Sequence, residues 1–152
     1  MSNQNWKKAQ DRVQKVLKVF MDSRKDFYFK TFTDTYQAGG NVVQNQPSDL
    51  WFIFQSKFAI CEIKSSEYKD KFYFKDVRPS QWIGAMRVLA AGGHSLFLIV
   101  KIPEWQWYFI PGRLMLTIKE SGEAGIYWAQ MTPIKLTAEV IVGECLERSK
   151  DV

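Results

Sequence analysis

Apolar residues open the chain at helical spacing: Trp6, Ala9, Val13, Val16, Leu17 and Phe20. That rhythm predicts an amphipathic helix over residues 6–20. A polar connection at 22–26 leads into Phe27, Tyr28, Phe29 and Phe32, a weakly alternating stretch that predicts a first strand over 26–33. Ala38-Gly39-Gly40-Asn41 is a turn signal, and 42–46 is a short uncharged lead-in. Two β-branched and aromatic runs follow at 49–54 and 58–63, with Gln55-Ser56 between them, and predict a hairpin. Pro79 suits a first helical position, and a helix is expected to run to Gly92-Gly93, with Trp82, Ala85, Met86 and Leu89 as its buried stripe. The continuous apolar run at 95–102 predicts a buried central strand, paired through Pro103-Glu104 with another at 105–110. Residues 111–119 suit a short helix, 121–125 and 133–136 irregular chain, and 137–148 a closing helix weakened by Val140, Ile141, Val142 and Gly143.

Strands alternating with helices in this order predict an α/β fold with a mixed central sheet flanked by helices. The 152 residues, 46% of them hydrophobic and 15% aromatic, suit one domain over 1–152 with a substantial core. No apolar run is long enough to span a bilayer. The polar opening Met1 to Asn5 lacks the pattern of a signal peptide, and the two cysteines, Cys61 and Cys145, make neither a disulfide framework nor a zinc site. A cytoplasmic protein without a membrane partner is therefore expected. Net charge of +5 favours an anionic partner.

The hairpin carries the chemistry. With a two-residue turn, Phe54 pairs with Lys57, and Asp49 then falls opposite Glu62, while Lys64 points to the same face as Glu62. Opposed carboxylates destabilise a sheet unless a cation lies between them. Mg²⁺ is commonly held by one or two carboxylates plus water and phosphate oxygens. The competing explanation is structural: Asp49 starting a strand, with Glu62 and Lys64 as a surface ion pair. Downstream, Lys69, Lys71, Lys75 and Arg78 alternate with Tyr68, Phe72, Tyr73 and Phe74, a mixture suited to phosphates and exposed rings, although Phe72 and Phe74 are expected in the core. Lys7, Lys8, Arg12 and Lys15 line the polar face of the first helix, either as a solvated surface or as further phosphate contacts. His94, the sole histidine, follows Gly92-Gly93 and fits a turn, which argues against histidine-based catalysis. Gly92-Gly93 also follows a helix and precedes a strand, the reverse of a phosphate-binding loop, so no nucleotide cofactor is expected.

Taken together, Pro47-Ser48-Asp49, Glu62-Ile63-Lys64, the stretch 72–77 followed by Gln81, Gly92-Gly93 ahead of Leu96-Phe97-Leu98-Ile99, and Tyr108-Phe109-Ile110-Pro111 resemble the PD-(D/E)XK nuclease superfamily. Within it, the sequence looks like the RecU-type and phage-encoded Holliday junction resolvases. The resemblance implies a restriction-endonuclease-like core and a Mg²⁺-dependent homodimer, with Mn²⁺ able to substitute, that resolves four-way DNA junctions. It also implies Asp49 and Glu62 as metal ligands, the Ile63 carbonyl as a further ligand, Lys64 beside the nucleophilic water, and Gln81 as a positioning group. The first helix of such enzymes usually presents a Glu. Here Gln10 holds that place with Asp11 adjacent, so Asp34 is the alternative source of a further carboxylate. A restriction-like or branched-DNA repair nuclease, and a non-catalytic DNA-binding module on the same fold, remain the alternatives. For the dimer contact, Trp105, Trp107 and Trp128 are the aromatic candidates, with core packing expected for at least one of them.

Overall fold

In the computed structural model, which describes residues 3–32, 46–144 and 146, the basic amphipathic opening forms one long helix, α1 (Asn3–Ser23). Its apolar stripe, Ala9, Val13, Leu17 and Phe20, is buried, and Lys7, Lys8, Arg12 and Lys15 stand exposed. The chain continues through β1 (Phe27–Thr31), β2 (Leu50–Phe54), β3 (Lys57–Ser66), β4 (Lys71–Tyr73), α2 (Pro79–Ala90), β5 (His94–Lys101), β6 (Gln106–Pro111), α3 (Gly112–Glu120), β7 (Gly125–Tyr127) and β8 (Pro133–Ile134). Six strands make one sheet in the order β1-β2-β3-β5-β6-β8, antiparallel throughout except for the parallel pair β3 and β5, which α2 bridges. The strands β4 and β7 form a separate ribbon. The expected class is what forms: an α/β chain whose mixed central sheet is flanked by helices.

Each face of the sheet has its own core. On one side α1 covers Phe52, Cys61, Ile63, Leu96, Leu98 and Phe109. On the other, Trp82 of α2 and Met115 of α3 pack with Phe97, Ile99, Tyr108 and Ile110. Because side chains alternate along a strand, β3 sends Cys61 and Ile63 to the α1 core and Glu62 and Lys64 to the opposite face. Two charged groups are thereby delivered into an interior that would otherwise hold hydrocarbon.

The hairpin has the expected register, Phe54 against Lys57 through Leu50 against Cys61. Its turn uses two residues in the left-handed region, Gln55 at φ 49° and Ser56 at φ 67°, where Asn-Gly is the usual choice. Neighbouring chain holds Gln55 there: its N–H and its Nε2 donate to the backbone carbonyl and to Oδ2 of Asp26, each at 3.2 Å. Arg24 grips both oxygens of the same carboxylate at 2.8 Å.

Several expectations are corrected. The stretch after Lys64, expected as a loop facing nucleic acid, contains regular structure: β3 runs on to Ser66, and β4 and a short 3-10 turn (Phe74–Asp76) follow, with Phe72 and Phe74 buried as expected. His94 begins β5, and residues 133–134 form an edge strand instead of irregular chain. Met86 is 47% exposed, because α2 turns Gln81, Trp82, Gly84 and Ala85 inward and Met86 falls beyond that stripe. The closing segment contains a π-helical stretch (Val140–Glu144), where the β-branched run at 140–142 weakens an α-helix. Trp107 and Trp128 are core residues, and Trp105 lies half-buried under the Arg12 guanidinium, 3.9 Å from its ring, so none is an open contact surface. Residues 33–45, including Asp34 and the 38–41 turn signal, and Cys145 lie outside the described residues.

Candidate active site

Asp49 stands where β2 leaves the ladder. Its backbone N–H still donates to the Cys61 carbonyl at 3.2 Å, and its carbonyl accepts from Phe32 N at 3.0 Å, so the residue is tied from both sides. Continuing the register by one residue sets Asp49 against Glu62, as the pattern predicts. Its carboxylate, however, does not simply stand on the face beside Glu62. It occupies the strand edge, where Oδ2 accepts from Ile63 N at 2.7 Å in place of a strand carbonyl. In an antiparallel pair the N–H and C=O of one residue project to the same edge. The Ile63 carbonyl therefore faces the same gap.

The other oxygen of Asp49 is held from α1: Gln10 Nε2 donates to Oδ1 at 2.7 Å. The first helix thus contributes a neutral amide that holds a carboxylate, where a further carboxylate is absent.

Glu62 is 3% exposed, and its two oxygens are treated very differently. Oε1 accepts from Gln81 Nε2 at 2.8 Å and lies 3.4 Å from Lys64 Nζ. Oε2 is buried and no N–H or hydroxyl donates to it, so the neighbouring Asp49 carboxyl is the group with which Glu62 can share a proton. Gln81 cannot turn its amide round, because its Oε1 accepts from Arg78 N at 2.9 Å and a carboxylate on the other side requires the NH₂ end. That bond satisfies the backbone N–H of the N-cap residue at the start of α2, as the third helical side chain does in a capping box. Arg78, Gln81 and Glu62 thus form one chain of hydrogen bonds from a helix terminus to the middle of the sheet.

Burial dominates the electrostatics. It pushes the Glu62 carboxyl well above its ordinary value, the Asp49 charge adds to the rise, and Lys64 opposes it. Asp49 is also raised by burial, against the hydrogen bonds from Glu62 and Ile63 N and the positive charges of Lys64 and Arg78. Two desolvated carboxyls so coupled share a proton or attract a cation. Among the described residues no group of three or more Asp, Glu, His or Cys side chains gathers to hold a metal. Two carboxylates, one bare oxygen and a backbone carbonyl nevertheless fit a hard cation that keeps most of its own water, as Mg²⁺ does.

The remaining expected residues fall around this centre. Asp11 is exposed on α1, and Asn5 donates to Glu67 at 3.0 Å, placing the first turn of α1 beside the end of β3. Lys69, Lys75 and Arg78 are exposed, and Lys71 is half-buried. Three features escape sequence reasoning. Ser48 Oγ is buried without a partner immediately before Asp49. Gly84 lets Pro47 approach α2 so closely that a Cβ there would stand 2.5 Å from the proline Cβ. Tyr127 joins Lys71 of β4 through strand pairing, from a three-residue strand too short to carry periodicity.

The sequence matches no family model, and no curated protein matches it. Among solved structures it is similar to the Archaeoglobus fulgidus protein Hjc, described as a Holliday junction resolvase from an archaeal hyperthermophile, at 14% identity and a TM-score of 0.45 over 68% of this chain and 78% of that one. A likeness of that size assigns neither family nor activity. Among the described residues no helix is long and apolar enough to cross a membrane.

Proposed function

We propose that the chain is a Mg²⁺-dependent, structure-selective endodeoxyribonuclease on a restriction-endonuclease-like core, acting on branched DNA and on four-way junctions in particular. The observation that carries this reading is the bare, buried Oε2 of Glu62 beside the buried Asp49 carboxyl, with Lys64 at the other Glu62 oxygen. Two buried carboxyls in contact must share a proton or take up a cation, an arrangement that a structural role alone leaves unexplained.

Asp49, Glu62 and the Ile63 carbonyl would hold the cation. When bound, it supplies a nucleophilic water at neutral pH and charge stabilisation at the phosphate. The chain's own groups do the rest. Gln10 and Ile63 N fix the Asp49 carboxylate, and Gln81 fixes Glu62 so that Oε2 alone faces the gap. Lys64 has only donors, so it orients the attacking water and offsets charge growing on the scissile phosphate. In-line attack would leave 5′-phosphate and 3′-hydroxyl ends. Mn²⁺, which also favours oxygen donors, would substitute.

Paired cuts across a junction need two sites related by a two-fold axis, so the active form is a homodimer. In place of the tryptophans, the turn end of β1, β2 and β3 offers a contact: Tyr28, Ile53 and Phe58 are exposed, and the Trp51 ring packs against those of Tyr28 and Phe58. The RecU-type and phage resolvases remain the group within which we place the chain. A cytoplasmic location accords with this reading. The neutral Gln10 is what favours the second reading, a DNA-binding module that has lost catalysis.

Labelled four-way, flapped and linear duplex DNA incubated with and without Mg²⁺ tests the proposal. Cleavage of branched forms only with Mg²⁺, lost in Asp49→Asn and Glu62→Gln while binding persists, is expected. Lys64→Ala should lose roughly a hundredfold or more in rate and still bind Mg²⁺ in calorimetry. Cleavage that survives either carboxylate change removes the site, and a protein that binds DNA but neither Mg²⁺ nor Mn²⁺ is the non-catalytic module.

A further inference from the structure

Beyond the end of β3 the surface carries alternating rings and ammonium groups. Lys75 Nζ lies 5.2 Å from the centre of the Tyr68 ring and 5.3 Å from that of Tyr73. Lys71 Nζ lies 5.3 Å from Tyr73 and 4.7 Å from Tyr127. Tyr68 meets Tyr73 edge to face at 4.7 Å. Tyr68 and Tyr73 are thus in contact with Lys75 against both rings, and Lys71 links Tyr73 to Tyr127, with Tyr68 41% and Tyr127 48% exposed at the two ends.

The array is built on rigid parts. Lys71 is paired with Tyr127 across the β4–β7 ribbon. Phe72 and Phe74 are buried beneath it, and Trp128 Nε1 donates to the Tyr68 carbonyl at 2.9 Å. Tyr73 is anchored by its hydroxyl, which donates to Asp70 Oδ2 at 2.9 Å. Tyrosines held this way lose little freedom on binding, which favours them as contact groups.

Charge decides what the surface suits. Over residues 67–78, Lys69, Lys71, Lys75 and Arg78 are offset by Glu67, Asp70 and Asp76, four positive against three negative. A face that tracks a duplex by phosphate neutralisation needs a larger excess. Exposed rings flanked by ammonium groups instead suit a base whose face is open, with the lysines meeting the phosphates on either side. In a paired duplex the base faces are hidden in the stack; at a flap or an opened branch point they are not.

The geometry points to Tyr68 and Tyr127 as stacking platforms for unpaired nucleotides, through which this surface distinguishes DNA with single-stranded character from fully paired duplex. The inference deepens the nuclease reading above and rests on it for the nucleic-acid class of its ligand.

The test is fluorescence anisotropy in EDTA with three labelled DNAs: an oligothymidine, a flap with a single-stranded arm and a blunt duplex. Tyr68→Ala and Tyr127→Ala should each weaken oligothymidine and flap binding roughly fivefold or more, change duplex binding less than about twofold, and be rescued by Tyr68→Phe and Tyr127→Phe. If a combined variant melts early, the singly changed Tyr127→Ala carries the test. Equal losses on duplex and flap, no loss at all, or no binding of oligothymidine by the unaltered protein overturns the inference. Cleavage in Mg²⁺ is scored separately. Asp49-dependent cleavage with tyrosine-indifferent binding defeats this inference alone. Tyrosine-dependent binding without Asp49-dependent cleavage defeats the nuclease reading alone.

Discussion

Gln81 holds Glu62 with one end of its amide and the backbone of Arg78 with the other, at 2.8 and 2.9 Å. The start of α2 and the orientation of a buried carboxylate are therefore set by one side chain. Two substitutions separate these duties. Gln81→Ala removes both bonds and should cost about 1–2 kcal/mol of stability together with most of the cleavage rate. Gln81→Glu keeps an acceptor for Arg78 N but sets a second carboxylate against Glu62. Its helix should start normally while cleavage is lost. Urea unfolding beside single-turnover rates measures the two, and a Gln81→Glu protein as active as the original would show that the bond to Glu62 is dispensable.

Gln10 and Asp49 form a comparable pair between α1 and the sheet. Gln10→Ala frees Asp49 Oδ1 and should slow cleavage less than about tenfold, since Ile63 N still holds the other oxygen and one net hydrogen bond is worth about 1 kcal/mol. Gln10→Glu adds a third carboxylate at 2.7 Å from Asp49. That change should tighten Mg²⁺ binding several-fold and lower stability in EDTA. Calorimetric titration of the three proteins decides it; a Gln10→Glu protein with unchanged metal affinity would place the cation away from Asp49 Oδ1.

The contact of Gly84 with Pro47 leads to a prediction that alters no polar group. A Cβ at residue 84 would lie 2.5 Å from Pro47 Cβ and 2.9 Å from its carbonyl oxygen, so α2 or the 47–49 segment must move. Gly84→Ala should destabilise the protein by about 1–3 kcal/mol and slow cleavage by displacing Asp49, two residues along. Thermal melts and rates should fall together. A melt that drops while the rate holds would show that Asp49 is positioned independently of Pro47.

The raised carboxyls predict how metal-free stability varies with pH. Burial keeps Glu62 protonated to a higher pH in the folded chain than in the unfolded one, where its value is about 4.3. Its favourable contribution is complete below that unfolded value and is lost as pH rises through the folded one, because unfolding then releases a proton. Asp49 shifts in the same direction. In EDTA the urea midpoint should therefore decline as pH rises above about 4.3, and Glu62→Gln should flatten that decline. A midpoint with the same pH dependence in both proteins would mean that Glu62 is not protonated in the folded, metal-free state.

Periodicity and turn length are local properties, and they were enough for the helix of Ala9, Val13 and Leu17, for the buried β5, and for the hairpin register that sets Asp49 opposite Glu62. A two-residue turn leaves only one pairing, so that register needed no knowledge of the rest of the chain. What each side chain then meets is decided between elements. Nothing local says that α1 crosses the sheet where Gln10 reaches Asp49, or that Gln81 bridges its own helix terminus to Glu62. The same holds for Trp107 and Trp128, which composition alone leaves free to be surface or core. Their burial follows from α1 covering one side of β6 and the β4–β7 ribbon folding over the other. Tertiary packing also removes water from Glu62 and Asp49, and it is this desolvation that turns two ordinary carboxylates into a pair that calls for a proton or a cation.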